Sequence, residues 1–262
     1  MRILFIGDVM GRSGREALAS LLPRIKERWG PLDFILVNGE NAAGGFGLTR
    51  KVMEELFRLG ADCITGGNHI WDKKEFLPVL DEESRVLRPA NYPPGVPGSG
   101  TVVLEKRGKR LRVMNFQGRV YMPPLDCPFR KADALLEQND TLCVFVDFHA
   151  EATSEKRAFF HYLDGRVSCV VGTHTHVQTA DEEVLPGGTA AITDAGMTGG
   201  QGGVIGMETQ GTLSRFLDGL PSKFEVCTRQ VDLRGIVTEI DDETGRALSI
   251  ERVALPMEKT EA

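Results

Sequence analysis

Through the first eighty residues, short apolar runs alternate with stretches of helical periodicity. That alternation constrains the fold most, because parallel strands cannot be joined by tight turns and need a crossover. Strands are expected over residues 2–7, 33–37 and 62–65, and helices over 15–28, 50–59 and 73–80. Thr49 reads as the N-cap of the second helix, Gly60 as its stop and Asp72 as the N-cap of the third. The middle changes character. Residues 89–98 contain four prolines and read as a surface loop. Residues 101–105 and 111–116 flank a turn as a hairpin. A helix over 130–136, a strand over 141–148, a helix over 153–162 and a strand over 167–171 follow. Hairpin patterns then take over, with 184–185 facing 189–193, and 224–230, 232–240 and 248–255 as antiparallel strands. The glycine-rich stretch 194–203 reads as a flexible rim. Strand–helix units followed by hairpins point to mixed sheets rather than one doubly wound sheet. No repeat or linker divides the chain, so residues 1–262 are expected to form one α/β domain.

In such sheets, ligands collect at the carboxyl ends of the strands. Standing there are Asp8, Glu40, Asn41, Asn68, His69, His149, His174 and His176. His174 and His176 are two residues apart, and in an extended segment such residues point to the same side. Carboxylate, amide and imidazole donors without a thiolate suit borderline divalent metals. These are too many groups for one tetrahedral ion. They suit two ions bridged by one carboxylate, about 3.5–4 Å apart. Each residue also has an ordinary alternative. Asp8 would serve as a helix cap, Asn41 and Asn68 as turn residues, His149 as a core histidine, and the last two histidines as a surface pair. The turn over 9–14 lacks the Lys-Ser/Thr of a phosphate loop and is not read as one. His161 matches no motif. Arg12, Arg15 and Arg119 read as exposed, and Phe46 and Trp71 as loop anchors or platforms for a base.

Thirty-one basic residues against 37 acidic ones leave a net charge of −6, which argues against an extended nucleic-acid footprint. A small anion held through metal ions is compatible with that charge. Five cysteines with no Cys-x-x-Cys pair indicate reduced thiols, and Cys63, Cys143 and Cys169 fall inside apolar strand patterns. No apolar run reaches membrane-spanning length and no signal-peptide pattern opens the chain, so no membrane contact and a cytoplasmic address are expected.

The motif order resembles the calcineurin-like metallophosphoesterases: Asp8 after the first strand, an acid after the second, Gly67-Asn68-His69 after the third, then His149, then His174 and His176. Three departures stand out. Met10 occupies the place of a ligand histidine, Glu40-Asn41 replaces an aspartate motif, and Thr173 is an extra residue before the final histidines. With the segments beginning at Gly7, Asn38 and Thr193, these departures resemble the YmdB-type bacterial branch, similar to phosphodiesterases acting on 2′,3′-cyclic nucleotides. The resemblance implies a four-layer α-β-β-α sandwich with two packed mixed sheets. It implies one ion on Asp8, Glu40, Asn41 and His176 and another on Glu40, Asn68, His149 and His174, with Glu40 bridging. The ions would be divalent or trivalent transition metals, Fe or Mn first and Zn next. A metal-bridging hydroxide would attack a small phosphodiester or cyclic nucleotide, with His69 as general acid. A phosphomonoesterase or nuclease with the same site, and a nucleotide-binding regulator with little turnover, are the alternatives. A homo-oligomer is compatible with all of these.

Overall fold

The computed structural model describes residues 1–258. In chain order, β1 (Arg2–Ile6), α1 (Gly11–Trp29), β2 (Phe34–Asn38), α2 (Arg50–Arg58), β3 (Cys63–Thr65) and α3 (Leu77–Glu82) form the alternating part. Then come β4 (Thr101–Lys106), β5 (Lys109–Gln117), α4 (Pro128–Leu136), β6 (Val144–His149), α5 (Thr153–Leu163) and β7 (Cys169–Thr173). The chain closes with β8 (Glu183–Val184), β9 (Ala190–Ile192), β10 (Gly199–Gly200), α6 (Thr209–Asp218), β11 (Val231–Ile240) and β12 (Ala247–Pro256).

Two mixed sheets result. In the first, β1, β2 and β3 run parallel, β11 lies antiparallel to β1, and β10 and β12 pair antiparallel with β11. In the second, β5, β6, β7 and β9 run parallel between antiparallel edges β4 and β8. The period of two along β1 sorts its side chains between layers. Ile3 and Phe5 face the second sheet and pack with Leu111, Val113, Phe145 and Val171, with Phe5 stacked on Phe145 at 5.3 Å. Leu4 and Ile6 face the other way, onto Ala17, Leu18, Leu21 and Ile25 of α1 and Val52 and Leu56 of α2. On the far side of the second sheet, Phe148, Val146 and Val170 pack under Phe159, Phe160 and Leu163 of α5 and Ala132 of α4. This is the expected four-layer sandwich.

Several local expectations are corrected. Residues 11–14 belong to α1 rather than to a turn. Gly14 is there because α1 crosses the backbone of Thr198, whose carbonyl oxygen would stand 2.3 Å from any Cβ. Pro23 lies inside this helix. It sits on the exposed face, as does Ala19, whose carbonyl loses its helical partner to the proline. Asp72 caps nothing: the segment begins as a 3-10 turn over Lys74–Phe76 with no side-chain cap, and the Asp72 carboxylate faces His69 instead. Residues 194–203 are not a flexible rim. Residues 194–200 are buried, and their backbone bonds to Asp8, Met10 and Gly172 tie the ends of β1 and β7 together. Residues 224–230 carry only an isolated bridge from Val226 to Met207 and pack on a methionine cluster of Met10, Met197 and Met207. Helix α6 lies where no element was expected. Of its residues only Thr212 is buried, so no apolar stripe marks it.

Candidate metal centre

The expected site residues arrive from the carboxyl ends of five parallel strands. Asp8 follows β1, Glu40 and Asn41 follow β2, Asn68 and His69 follow β3, His149 ends β6, and His174 and His176 follow β7. The first three strands belong to one sheet and the last two to the other, so the cluster sits where both sheet ends meet.

His149 is the hub, fully buried. Its Nε2 stands 2.9 Å from Asn68 Oδ1, 3.1 Å from Glu40 Oε1 and 3.1 Å from His174 Nδ1. One ligand atom each from Glu40, His149 and His174 lies within 4.8 Å of the others. Asn41 Nδ2 lies 3.3 Å from both Glu40 Oε1 and His176 Nε2, and the backbone N–H of His174 donates to Asp8 Oδ2 at 3.3 Å. Gly67 makes this density possible, since a Cβ there would meet the His149 ring at 2.3 Å and Glu40 Oε2 at 2.4 Å.

The hydrogen bonds around the rings fix which nitrogen faces inward. The hydroxyl of Thr173 donates to Asp147 Oδ1 at 2.7 Å, so toward His149 Nδ1, 2.9 Å away, it accepts. The Nε2 lone pair of His149 is thereby left to the cluster. His176 Nδ1 donates to the Ile205 carbonyl at 2.9 Å, which leaves Nε2. His174 Nε2 lies 3.3 Å from Glu151 Oε2, which leaves Nδ1. All three inward nitrogens are therefore acceptors for a cation.

Electrostatics agree. Burial works against the charge on Glu40, but His149 beside it outweighs burial and holds the carboxyl down at about 2. Burial likewise opposes charge on His149, and Glu40 outweighs it and lifts the imidazole to about 9. Burial and then His149 push His174 down to about 3. Burial raises Asp8 against the pull of His176 and His149. Two buried oxygens of the cluster, Asp8 Oδ1 and Asn41 Oδ1, have no hydrogen-bond partner among the described residues. Rotating the Asn41 amide by half a turn puts Oδ1 where Nδ2 stands, toward Glu40 and His176. Unpartnered buried acceptors converging with inward-facing imidazoles fit cations, which supply what the orphaned oxygens lack.

His69 stands apart from the hub. Its ring lines the adjoining cleft, packs edge-on to Phe46 at 5.0 Å, and donates from Nδ1 to Asp72 Oδ2 at 2.8 Å. Its backbone N–H donates to Glu40 Oε2 at 2.9 Å. Other assignments also resolve. Arg12 is exposed and pairs with Glu16, whereas Arg15 is half-buried against Glu55 and the Ala42 carbonyl. The backbone N–H of Arg119 donates to Glu155. His161 is exposed on α5, and Trp71 packs on Tyr92.

Sequence reasoning missed Asp147, which takes Asn38 Nδ2, Thr65 Oγ1 and Thr173 Oγ1 and supports the hub from behind. A signal was present: Asp147 precedes His149 by two in an apolar strand, hence on the same face. It also missed the Lys156–Asp194 pair, both residues 1% exposed and 2.8 Å apart. Asp194 Oδ2 holds the N–H and hydroxyl of Thr175, between the two histidines.

Known proteins resemble this chain over nearly its whole length. The chain is 51% identical over 257 residues, 97% of each chain, to the 2′,3′-cyclic-nucleotide 2′-phosphodiesterase of Bacillus subtilis (strain 168). A hypothetical protein from Thermus thermophilus superposes with a TM-score of 0.93 at 45% identity, covering 98% of this chain and 100% of that one. A novel phosphatase from Mycoplasma pneumoniae superposes with a TM-score of 0.92 at 35% identity, covering 98% and 93%. The family model described as YmdB-like protein matches residues 4–253, and the chain belongs to that family.

Proposed function

We propose that the protein is a metal-dependent phosphodiesterase that opens nucleoside 2′,3′-cyclic phosphates. One observation carries the reading: the ligand atoms of Glu40, His149 and His174 converge within 4.8 Å, beside the unpartnered buried oxygens of Asp8 and Asn41. The name of the Bacillus subtilis relative supports the substrate class. Glu40, Asn68, His149 and His174 would hold one ion, and Asp8, Glu40, Asn41 and His176 the other, with Fe or Mn suited to the mixed oxygen and imidazole set. When bound, such ions supply positive charge for phosphate oxygens and acidify a water at neutral pH.

The chain's own groups do the rest. Glu40 faces both ligand sets and ties their positions together. Asp72 accepts a hydrogen bond from His69 Nδ1–H and so orients the ring; as an imidazolium, His69 would then give its Nε2 proton to the leaving alkoxide and finish as the neutral ring. Because the same turn donates the His69 N–H to Glu40, the acid and the bridging carboxylate are positioned as one unit.

The test is elemental analysis of protein purified without chelator, with turnover of adenosine 2′,3′-cyclic phosphate compared with p-nitrophenyl phosphate. Two ions per chain and a strong preference for the cyclic diester are expected. A preference for the monoester would make it a phosphomonoesterase using the same site. Full metal load with no turnover of either ester would assign a binding role.

A further inference from the structure

The cleft that opens onto the cluster holds about 700 Å³, within the roughly 300–1,000 Å³ range of small-molecule sites and more than a phosphate alone needs. Its two ends differ in chemistry. Glu40, Asn41, His174 and His176 form a polar floor. The wall is built from α6 and the segments flanking it: Ile205, Met207, Phe216 and Phe224. Phe216 is 81% exposed and belongs to a run of exposed apolar side chains with Ile205 and Leu213, the kind of contiguous patch that marks a binding surface. Arg215, the one lysine or arginine lining the cleft among the described residues, lays its guanidinium over the Phe224 ring at 5.3 Å. We infer that this wall is a nucleobase subsite, in which Phe216 and the Arg215–Phe224 pair stack on the base of a nucleotide whose phosphate lies on the floor. The inference rests on the proposed phosphodiesterase reading for where the phosphate lies.

A flat, weakly polar ring is the occupant this surface fits. Aromatic faces and a guanidinium plane both stack on bases and are indifferent to base identity. An alkyl chain would gain nothing from the guanidinium, and a bare phosphate would not use the wall. The floor and the wall belong to one continuous cleft, so a ligand with an anionic end and an aromatic end spans both.

Equilibrium binding decides the matter independently of turnover. Calorimetry compares adenosine 3′-monophosphate with the 3-phosphate of methyl riboside, which lacks the base. Wild-type protein should bind the nucleotide more tightly, and Phe216→Ala should cut that preference by about 5- to 150-fold, the range that loss of one base–aromatic stack gives. Phe216→Trp should restore it. Leu217→Ala, on the same helix at 78% exposure but outside the cleft lining, should leave the preference unchanged. Equal affinity of wild type for the two phosphates, or an equal loss in the Leu217 variant, would overturn the subsite. Self-association that Phe216→Ala abolishes while the preference stays intact would place a second copy of the chain on this wall and overturn it too. Failure to hydrolyse cyclic nucleotides despite a clear base preference would sink the phosphodiesterase reading and leave the subsite standing.

Discussion

Thr173 decides which nitrogen of His149 faces the cluster, because its own proton goes to Asp147. Thr173→Val removes that acceptor, and metal affinity should fall by about 10- to 100-fold, as losses behind a ligand histidine typically do. Thr173→Ser should recover most of it, as measured by metal titration on folded protein. The proton shared by Glu40 and His149 gives a pH dependence of known sign. His149 is held protonated up to about 9, and a cation must displace that proton. Affinity should therefore rise with pH, by up to about tenfold per unit, and level off near pH 9. A flat profile from pH 6 to 9 would refute the pairing. His69 should behave differently from any ligand. His69→Ala should keep its metal and lose about 10²–10⁴-fold in turnover of a nucleoside ester, but far less with p-nitrophenol as leaving group. Equal losses for all leaving groups would make it a positioning group. At this scale the sequence was informative wherever a polar residue interrupts an apolar strand end. It misread Asp72 as a helix cap, because nothing in the sequence separates a cap from a partner of His69.

Between β7 and β8, both His174 (φ 101°) and His176 (φ 66°) adopt left-handed backbone, which costs a non-glycine residue about 1–3 kcal/mol. The residue between them is what holds the loop: Thr175 is gripped twice by Asp194, whose charge Lys156 of α5 neutralises. Lys156→Met would leave a buried carboxylate unpaired and should destabilise the fold by about 3–5 kcal/mol in urea denaturation. Adding Asp194→Asn should return part of that loss. No change on removing the lysine would mean the pair is idle. Strands buried on both faces were legible as short apolar runs, as with β1 and β6, and a helix with one buried face from its period and cap, as with α2. The loop was not, since its shape comes from a carboxylate twenty residues downstream. Helix α6 was also invisible, because an element with one buried residue leaves no stripe to read.

Across the whole molecule, the two sheets share an apolar layer at their faces and the candidate ligands at their ends. Ions bound there would stabilise the native state only, since both sheets must be docked before the ligands meet. Chelation should lower the melting temperature by several degrees, and Mn or Fe should restore it; an unchanged melting temperature would argue that the ligands belong to no shared site. The layered architecture was legible from the order of its elements, whereas the pairing of β1 with β11 was not, since period says nothing about a neighbour more than two hundred residues away. That pairing has a consequence for how the protein is made. β1 is an interior strand whose register partners run from Gly235 to Glu239. A growing chain therefore emerges from the ribosome with one edge of β1 open, and that edge stays open until β11, more than two hundred residues later, has been joined. The nascent chain carries an unpaired strand edge through the whole of that interval, the period in which an open edge invites a second chain.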